Sequence, residues 1–300
     1  MNDTSDRLSH RADRKMRRRH RILQATAVLP SLCTMFNGIS GFGAIHFATK
    51  LGLGKANDFN LMVASGLIFV SMIFDMLDGR LARMTRKTSE FGAQLDSLCD
   101  AVSFGVAPAV LMLQAVKPIF DSFSADHVLG NTLSLERLVW CIAAVYMSCG
   151  ILRLARFNVE NTPDESAHMS FKGLPIPGAA AAVASLTLLY AYMENHSGVP
   201  ERWLATMADW RAGVALVMLP AITLITALLM VSRFRYPHVV NQYIRGKRSF
   251  LYLVRLVILV LAALQWPIQT IAVVILLYVL SGPVGATIRF FRHRHETPVV

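Results

Sequence analysis

Acidic residues are scarce in this chain, and cysteines scarcer. Of 300 residues, 19 are Asp or Glu against 30 Lys or Arg, and charged residues of both signs make up only 16%. With 54% hydrophobic residues and a mean hydropathy of +0.46, the composition excludes an ordinary soluble domain. The four cysteines, Cys33, Cys99, Cys141 and Cys149, fall in apolar stretches and form no C-x-x-C pair. That excludes a disulfide framework and a zinc site, and predicts four small buried hydrophobes. No internal repeat and no long linker divides the chain, so a single domain is expected rather than an array.

Apolar runs are what the chain has in quantity. Eight of them approach the length that a hydrocarbon core requires, at approximately 29–48, 59–81, 92–115, 135–153, 176–193, 212–231, 250–265 and 267–287. Only Gln265, Trp266 and Pro267 separate the last two, which fits either a tight helical hairpin or one long kinked segment. The expected fold is all-α: a polytopic membrane bundle of about eight helices. It forms one integral domain over 29–287, with a basic arm at 1–28 and a short tail at 288–300.

The net charge of +11 is concentrated on one side. Basic residues crowd the arm from Arg7 to Arg21, then Arg80, Arg83, Arg86 and Lys87, then Arg153, Arg156 and Lys172, the stretch from Arg233 to Arg248, and the tail from Arg289 to Arg294. The alternate loops are poorer in them. Positive residues mark the cytoplasmic side, so both termini and the 75–100 region are expected to face the cytoplasm from a bacterial-type inner membrane. The arm leads straight into an apolar span, which argues against nucleic acid. Contact with anionic lipid headgroups and a plain topology signal both fit it. Its charged region is too long, and the following apolar run too full, for a cleaved signal peptide.

Against this background, the scarce acids stand out at residues 75–100, DMLDGRLARMTRKTSEFGAQLDSLCD. Asp75 and Asp78 are three apart and Asp96 and Asp100 four apart, so each pair shares one helical face. Carboxylates are expensive in a bilayer. Two antiparallel helices would point four of them at one small volume, which needs positive charge, and hard divalent cations with oxygen ligands are the natural answer. Gly79 and Gly92 extend the two acidic stripes with positions that lack a side chain, followed by Ala82 and Ser103, so a bulky ligand would find bare backbone beside the metals. Asp75 lies roughly 24 Å along its span from Phe59 at 1.5 Å per residue, near headgroup depth. A lipid can keep its acyl chains in the bilayer there while its phosphates reach the acids.

The string D-x-x-D-G-x-x-A-R, eight residues, then G-x-x-x-D-x-x-x-D resembles the signature of the CDP-alcohol phosphatidyltransferases, with every fixed position present. That resemblance implies CDP-diacylglycerol as donor, CMP as leaving group, and an alcohol attacking the β-phosphorus. It implies Asp75, Asp78, Asp96 and Asp100 as ligands of two Mg2+ or Mn2+ ions, with Asp100 also taking the proton of the attacking hydroxyl. Asp78, Gly79, Ala82, Arg83 and Gly92 would bind the nucleotide and its phosphates, with a positive-inside charge the lesser reading of Arg83. A homodimer is also implied.

Further stretches, LPSLCTMFNG (29–38), DSLCDAVSFGVAPA (96–109), RLARFN (153–158), FKGLPIPGAA (171–180) and SRFRYPHV (232–239), are similar to the phosphatidylserine synthases within that family. The implied acceptor is L-serine. A zwitterionic amino acid needs a cation for its carboxylate, and Arg153 and Arg156 share one helical face, with Asn158 and Lys172 following. The same arginines also fit the topology pattern. Gly173, Pro175, Pro177 and Gly178 read as a shaped turn into the fifth span.

Glycerol 3-phosphate, the acceptor of a phosphatidylglycerophosphate synthase, is the alternative within the family. Outside it stands a divalent cation transporter, which would prefer acids at the midplane on broken helices within inverted repeats. A non-enzymatic scaffold gives no reason for four intramembrane carboxylates.

Overall fold

The computed structural model describes residues 29–50, 55–85, 90–125, 129–160, 173–195, 213–234, 236 and 250–295. Helices account for nearly all of them, with no strand among the described residues. We name them α1 (29–49), α2 (Lys55–Thr85), α3 (Glu90–Asp100), α4 (Ala107–Ala125), α5 (Leu129–Glu160), α6 (Ile176–Asn195), α7 (Leu219–Val231), α8 (Phe250–Gln265) and α9 (Pro267–His295). A wide π-turn, Ala101–Val106, joins α3 to α4 in one rod, and another, Val214–Met218, leads into α7. The described residues of the eight expected apolar runs are therefore all helical.

Five stretches are long and apolar enough to cross a membrane: Asn57–Ala82, Glu90–Asp121, Ser134–Val159, Ile176–Met193 and Pro267–Thr287, with Ala215–Val231 a shorter apolar helix. Large apolar side chains such as Phe42, Phe91, Leu98 and Trp140 point outward. Spans of this length with an apolar outer surface are those of an integral membrane protein.

The core forms around α6. Of its apolar window 67% is buried, against 17% for α9. Ala179, Ala180, Ala182 and Ala184 are all fully enclosed. Such small side chains let neighbouring backbones approach closely where no aqueous hydrophobic effect drives association. α2, α4, α7 and α9 pack around this helix. Some hydroxyls inside the bundle are satisfied along their own helices, Thr187 on the Val183 carbonyl and Thr223 on that of Leu219.

Two junctions bear on the site. Gly173 adopts φ +91°, which a residue with a Cβ rarely does, and its amide donates to the Phe234 carbonyl at 2.8 Å. The Leu174 amide donates to Leu229 at 3.0 Å, so the expected turn into α6 is pinned to the end of α7. Between α8 and α9 the hydrogen-bond ladder passes through Trp266, whose amide donates to Ala262 at 2.8 Å and whose carbonyl accepts from Thr270 at 3.0 Å. The junction is therefore a bend in a rod at Trp266–Pro267, the kinked option of the two that the sequence left open.

Candidate active site

α2 and α3 bring their acids together as their spacing predicts. Carboxylate oxygens of Asp75, Asp78 and Asp96 lie within 4.8 Å of one another. Asp78 Oδ2 and Asp96 Oδ1 are buried without a hydrogen-bond partner, and buried polar atoms are rarely left so. Three convergent anionic oxygens, two of them unsatisfied, suit a hard divalent cation. The Thr34 side chain on α1 and the Gly79 amide lie against the Asp78 carboxyl. At Gly79 an added Cβ would meet nothing within 4 Å, so the space beside the trio is open, as a ligand resting on bare backbone requires.

Asp100 stands apart from that trio while remaining within electrostatic reach of Asp75, Asp96 and Asp78. It is buried, and Asn37 Nδ2 on α1 donates to its Oδ1 at 2.8 Å. Asn37 is a hub: its backbone carbonyl accepts from Ser71 Oγ on α2 at 3.1 Å and from Ser103 Oγ in the π-turn at 2.9 Å. The close approach of α1 makes this possible. An added Cβ at Gly41 would collide with Ser103, and one at Gly38 would sit 2.9 Å from Cys99 Sγ. Ser103 is thus consumed in helix packing and does not extend an open stripe beside the metals.

The π-turn follows Asp100 directly. Such wide turns shift the register of everything after them and recur at functional sites. Here Ser103, Phe104 and Gly105 are turned into the bundle, and the Phe104 carbonyl is capped by the Tyr146 hydroxyl of α5 at 3.1 Å. Gly150 of α5 rides against this turn, an added Cβ there falling 3.7 Å from Gly105 Cα. One helical turn later comes Arg153. Its Nε is buried with no hydrogen-bond partner, and Asp100 is within electrostatic reach of its guanidinium.

The other expected acceptor residues divide. Asn158 donates from Nδ2 to Ser97 Oγ at 2.9 Å, and its Oδ1 accepts from Ser97 Oγ at 3.2 Å, so its amide clamps α5 to α3 beside Asp96. Arg156 lies on the described part of α5 and already has an interaction of its own. Ala82 and Gly92 also lie on described helices, α2 and α3. Lys172 and the side chain of Arg83 lie outside the described residues. All four cysteines are unpaired, but none is fully buried as expected: Cys33, Cys99 and Cys149 are half-buried and Cys141 is exposed.

Sequence reasoning missed Asn37, Thr34 and Ser71. The available signal was a carboxamide in the middle of an apolar run. It also missed Tyr236 and Tyr278. The Tyr278 phenol is within electrostatic reach of Arg153, on a helix where no motif was visible.

The acidic trio, the buried Asp100 carboxylate and the buried Arg153 thus stand near one another, and comparison identifies the family. The family model for CDP-alcohol phosphatidyltransferase matches residues 27–211, and the chain belongs to that family. Among curated relatives, the chain is 31% identical over 240 residues to a CDP-diacylglycerol–serine O-phosphatidyltransferase of Helicobacter pylori (strain ATCC 700392 / 26695), covering 79% of this chain and 84% of that one. It is 32% identical over 210 residues to the enzyme of the same name from Methanocaldococcus jannaschii, with 70% and 73% covered. It is 36% identical over 168 residues to an archaetidylserine synthase of Methanothermobacter thermautotrophicus, with 55% and 60% covered.

Proposed function

We propose that this protein transfers the phosphatidyl group of CDP-diacylglycerol to L-serine, releasing phosphatidylserine and CMP. The observation that carries the reading is the juxtaposition of the Asp75–Asp78–Asp96 trio with Asp100 and the unpartnered Arg153 Nε. The names of the relatives support serine as the acceptor.

Asp75, Asp78, Asp96 and Asp100 would hold Mg2+ or Mn2+, two ions in all. Bound there, the cations supply neutralisation of the pyrophosphate charge that grows as CMP departs. The chain's own residues do the rest. The open face at Gly79 and Ala82 admits the nucleotide, with Arg83 and Gly92 at its phosphates. Arg153 and Arg156 receive the serine carboxylate, for which a guanidinium fork is the best match. Asp100, oriented by Asn37, takes the hydroxyl proton. The serine oxygen then forms its bond to the β-phosphorus, the bond from that phosphorus to the CMP oxygen breaks, and CMP leaves with the electron pair.

The crowding of basic residues in alternate loops supports an active site on the cytoplasmic face of an inner membrane and both termini on that side. A soluble amino acid then enters from the cytoplasm while the donor's acyl chains stay in lipid. Family resemblance supports a homodimer. The test is incorporation of labelled serine into chloroform-soluble lipid by the purified protein with CDP-diacylglycerol and Mg2+ or Mn2+. Label in lipid that depends on both donor and cation is expected. Label absent under all conditions contradicts the assignment.

A further inference from the structure

The last helix brings to Arg153 a group that the 75–100 motif does not contain. Among the described residues, Asp100 on α3 and the phenol of Tyr278 on α9 are within electrostatic reach of its guanidinium, and packing brings α9 to this place: Tyr278 lies against Gly178, and Ile176, two residues earlier, stands 3.1 Å from a Cβ built on Gly150, one helical turn before Arg153. α9 lies beyond the residues 27–211 that the family model matches.

Tyr278 is held from two sides. Its ring centroid lies 5.8 Å from that of Tyr236, tilted at 49°. Tyr236 is itself fixed: its hydroxyl donates to the Val279 carbonyl at 3.2 Å, and its ring occupies the space over Gly282, where any Cβ would collide. Burial, and then the neighbouring Tyr278, pushes the Tyr236 phenol up to about 12, so it keeps the proton of that hydrogen bond at neutral pH. On the α6 side, Gly178 leaves room for the Tyr278 ring, since an added Cβ there would stand 3.1 Å from Tyr278 Cε1. Gly178 follows directly on the turn fixed by Gly173. Gly178 and Tyr236 thus meet α9 at this pair of tyrosines.

The chemistry of the two groups is complementary. A guanidinium has donors only, so a phenol beside it can offer its oxygen to the cation and retains its own O–H for another acceptor. A carboxylate presented to Arg153 is such an acceptor. The buried and unpartnered Nε of Arg153 is a second, independent observation that points to a polar ligand at this spot.

We propose that Tyr278 is a positioning residue for the acceptor: it steadies the Arg153 guanidinium toward Asp100, walls the acceptor pocket together with Tyr236, and offers its hydroxyl to the carboxylate of the incoming amino acid. The inference rests on the reading that Arg153 receives that carboxylate. It gives α9 a part in selecting which alcohol is used.

The test uses the full chain in detergent, with CDP-diacylglycerol and a divalent cation, and determines KM for L-serine and for the donor separately. Tyr278→Phe should raise the serine KM about five- to tenfold, the size of one lost hydrogen bond near a charge, and leave the donor KM unchanged. Arg153→Lys should raise the serine KM as well. The double variant should be little worse than the weaker single variant, because both act on one interaction. L-serinamide, which has no carboxylate, should be a poor acceptor for the wild type and no poorer for Tyr278→Phe. Tyr236→Phe, which releases the Val279 contact, should shift the serine KM in the same direction. It provides the reading if Tyr278→Phe unfolds early in a thermal scan.

An unchanged serine KM in Tyr278→Phe, an equal rise in both KM values, or strictly additive effects with Arg153→Lys would overturn the proposal. If Arg153→Lys also leaves the serine KM unchanged, the carboxylate reading of Arg153 falls too. If only Tyr278→Phe is silent, that reading stands and the role of Tyr278 does not.

Discussion

Asn37 donates a hydrogen bond to Asp100 across 2.8 Å, from the first helix to the last acid of the motif, with both side chains buried. This contact fixes one carboxylate oxygen of Asp100. It also couples the site to helix packing, because the same residue's carbonyl gathers Ser71 and Ser103.

Asn37→Ala should therefore hurt catalysis more than folding. The serine hydroxyls bond to the backbone carbonyl and survive the change, while Asp100 loses its donor. The stability loss should be about 1–3 kcal/mol, the cost of stranding a buried acceptor, with turnover reduced by at least tenfold. Thermal unfolding and CMP release on the same preparation check this. Normal turnover would remove Asn37 from the account.

Asp100→Asn should abolish turnover while leaving the bundle folded, since an amide keeps the shape but accepts no proton. Nucleotide binding by the folded variant should persist. Full activity in this variant would end the proposed base role.

The trio predicts a cation-dependent fold as well as a cation-dependent reaction. Chelation should stop CMP release, and returning Mg2+ or Mn2+ should both restore it and raise the unfolding temperature, because binding to the folded state alone stabilises it. Asp78→Asn combined with Asp96→Asn should abolish that thermal shift. A shift that persists in the double variant would place the cation elsewhere.

Gly41→Ala and Gly38→Ala separate two kinds of close packing. At Gly41 an added Cβ would meet the Ser103 backbone, with Cα 2.5 Å away, so α1 itself must move. A loss of about 1–3 kcal/mol is expected from such overpacking, and Ser103→Ala should not rescue it. At Gly38 the nearest atom is Cys99 Sγ, so Cys99→Ala should restore most of the loss. Equal rescue at both positions would contradict this packing.

Asn158→Ala tests whether this residue serves the acceptor or the packing of α5 on α3. Its amide is engaged with Ser97, so the serine KM should change less than twofold, whereas Arg153→Lys raises it severalfold. Ser97→Ala should reproduce the Asn158→Ala phenotype. A large, serine-specific rise in KM for Asn158→Ala would return the residue to the acceptor pocket.

Period and spacing made the helical rods and the acid trio legible in sequence. Asp75 and Asp78, and Asp96 across the short 86–89 connection, meet because helix geometry leaves them little choice. The polar contacts between distant segments were not legible. Nothing local in FNG predicts that Asn37 reaches a residue 63 positions away. The π-turn after Asp100 changes the face that Ser103 presents, which a 3.6-residue period cannot anticipate. Tyr278 looked like any aromatic in an apolar span. Its significance comes from Gly178 and Tyr236 arriving from two other places in the chain, with Gly282 of its own helix making room for Tyr236.

The central claim is best tested by an acceptor screen. The purified protein, CDP-diacylglycerol and Mg2+ or Mn2+ would be incubated separately with L-serine, glycerol 3-phosphate, inositol phosphate or choline, and CMP release followed. Release with serine alone, lost in Asp100→Asn, is the predicted result. Release with a different alcohol alone would keep the aspartate chemistry and contradict the serine assignment. No release with any acceptor, in protein that still binds divalent cation, would contradict the transferase account.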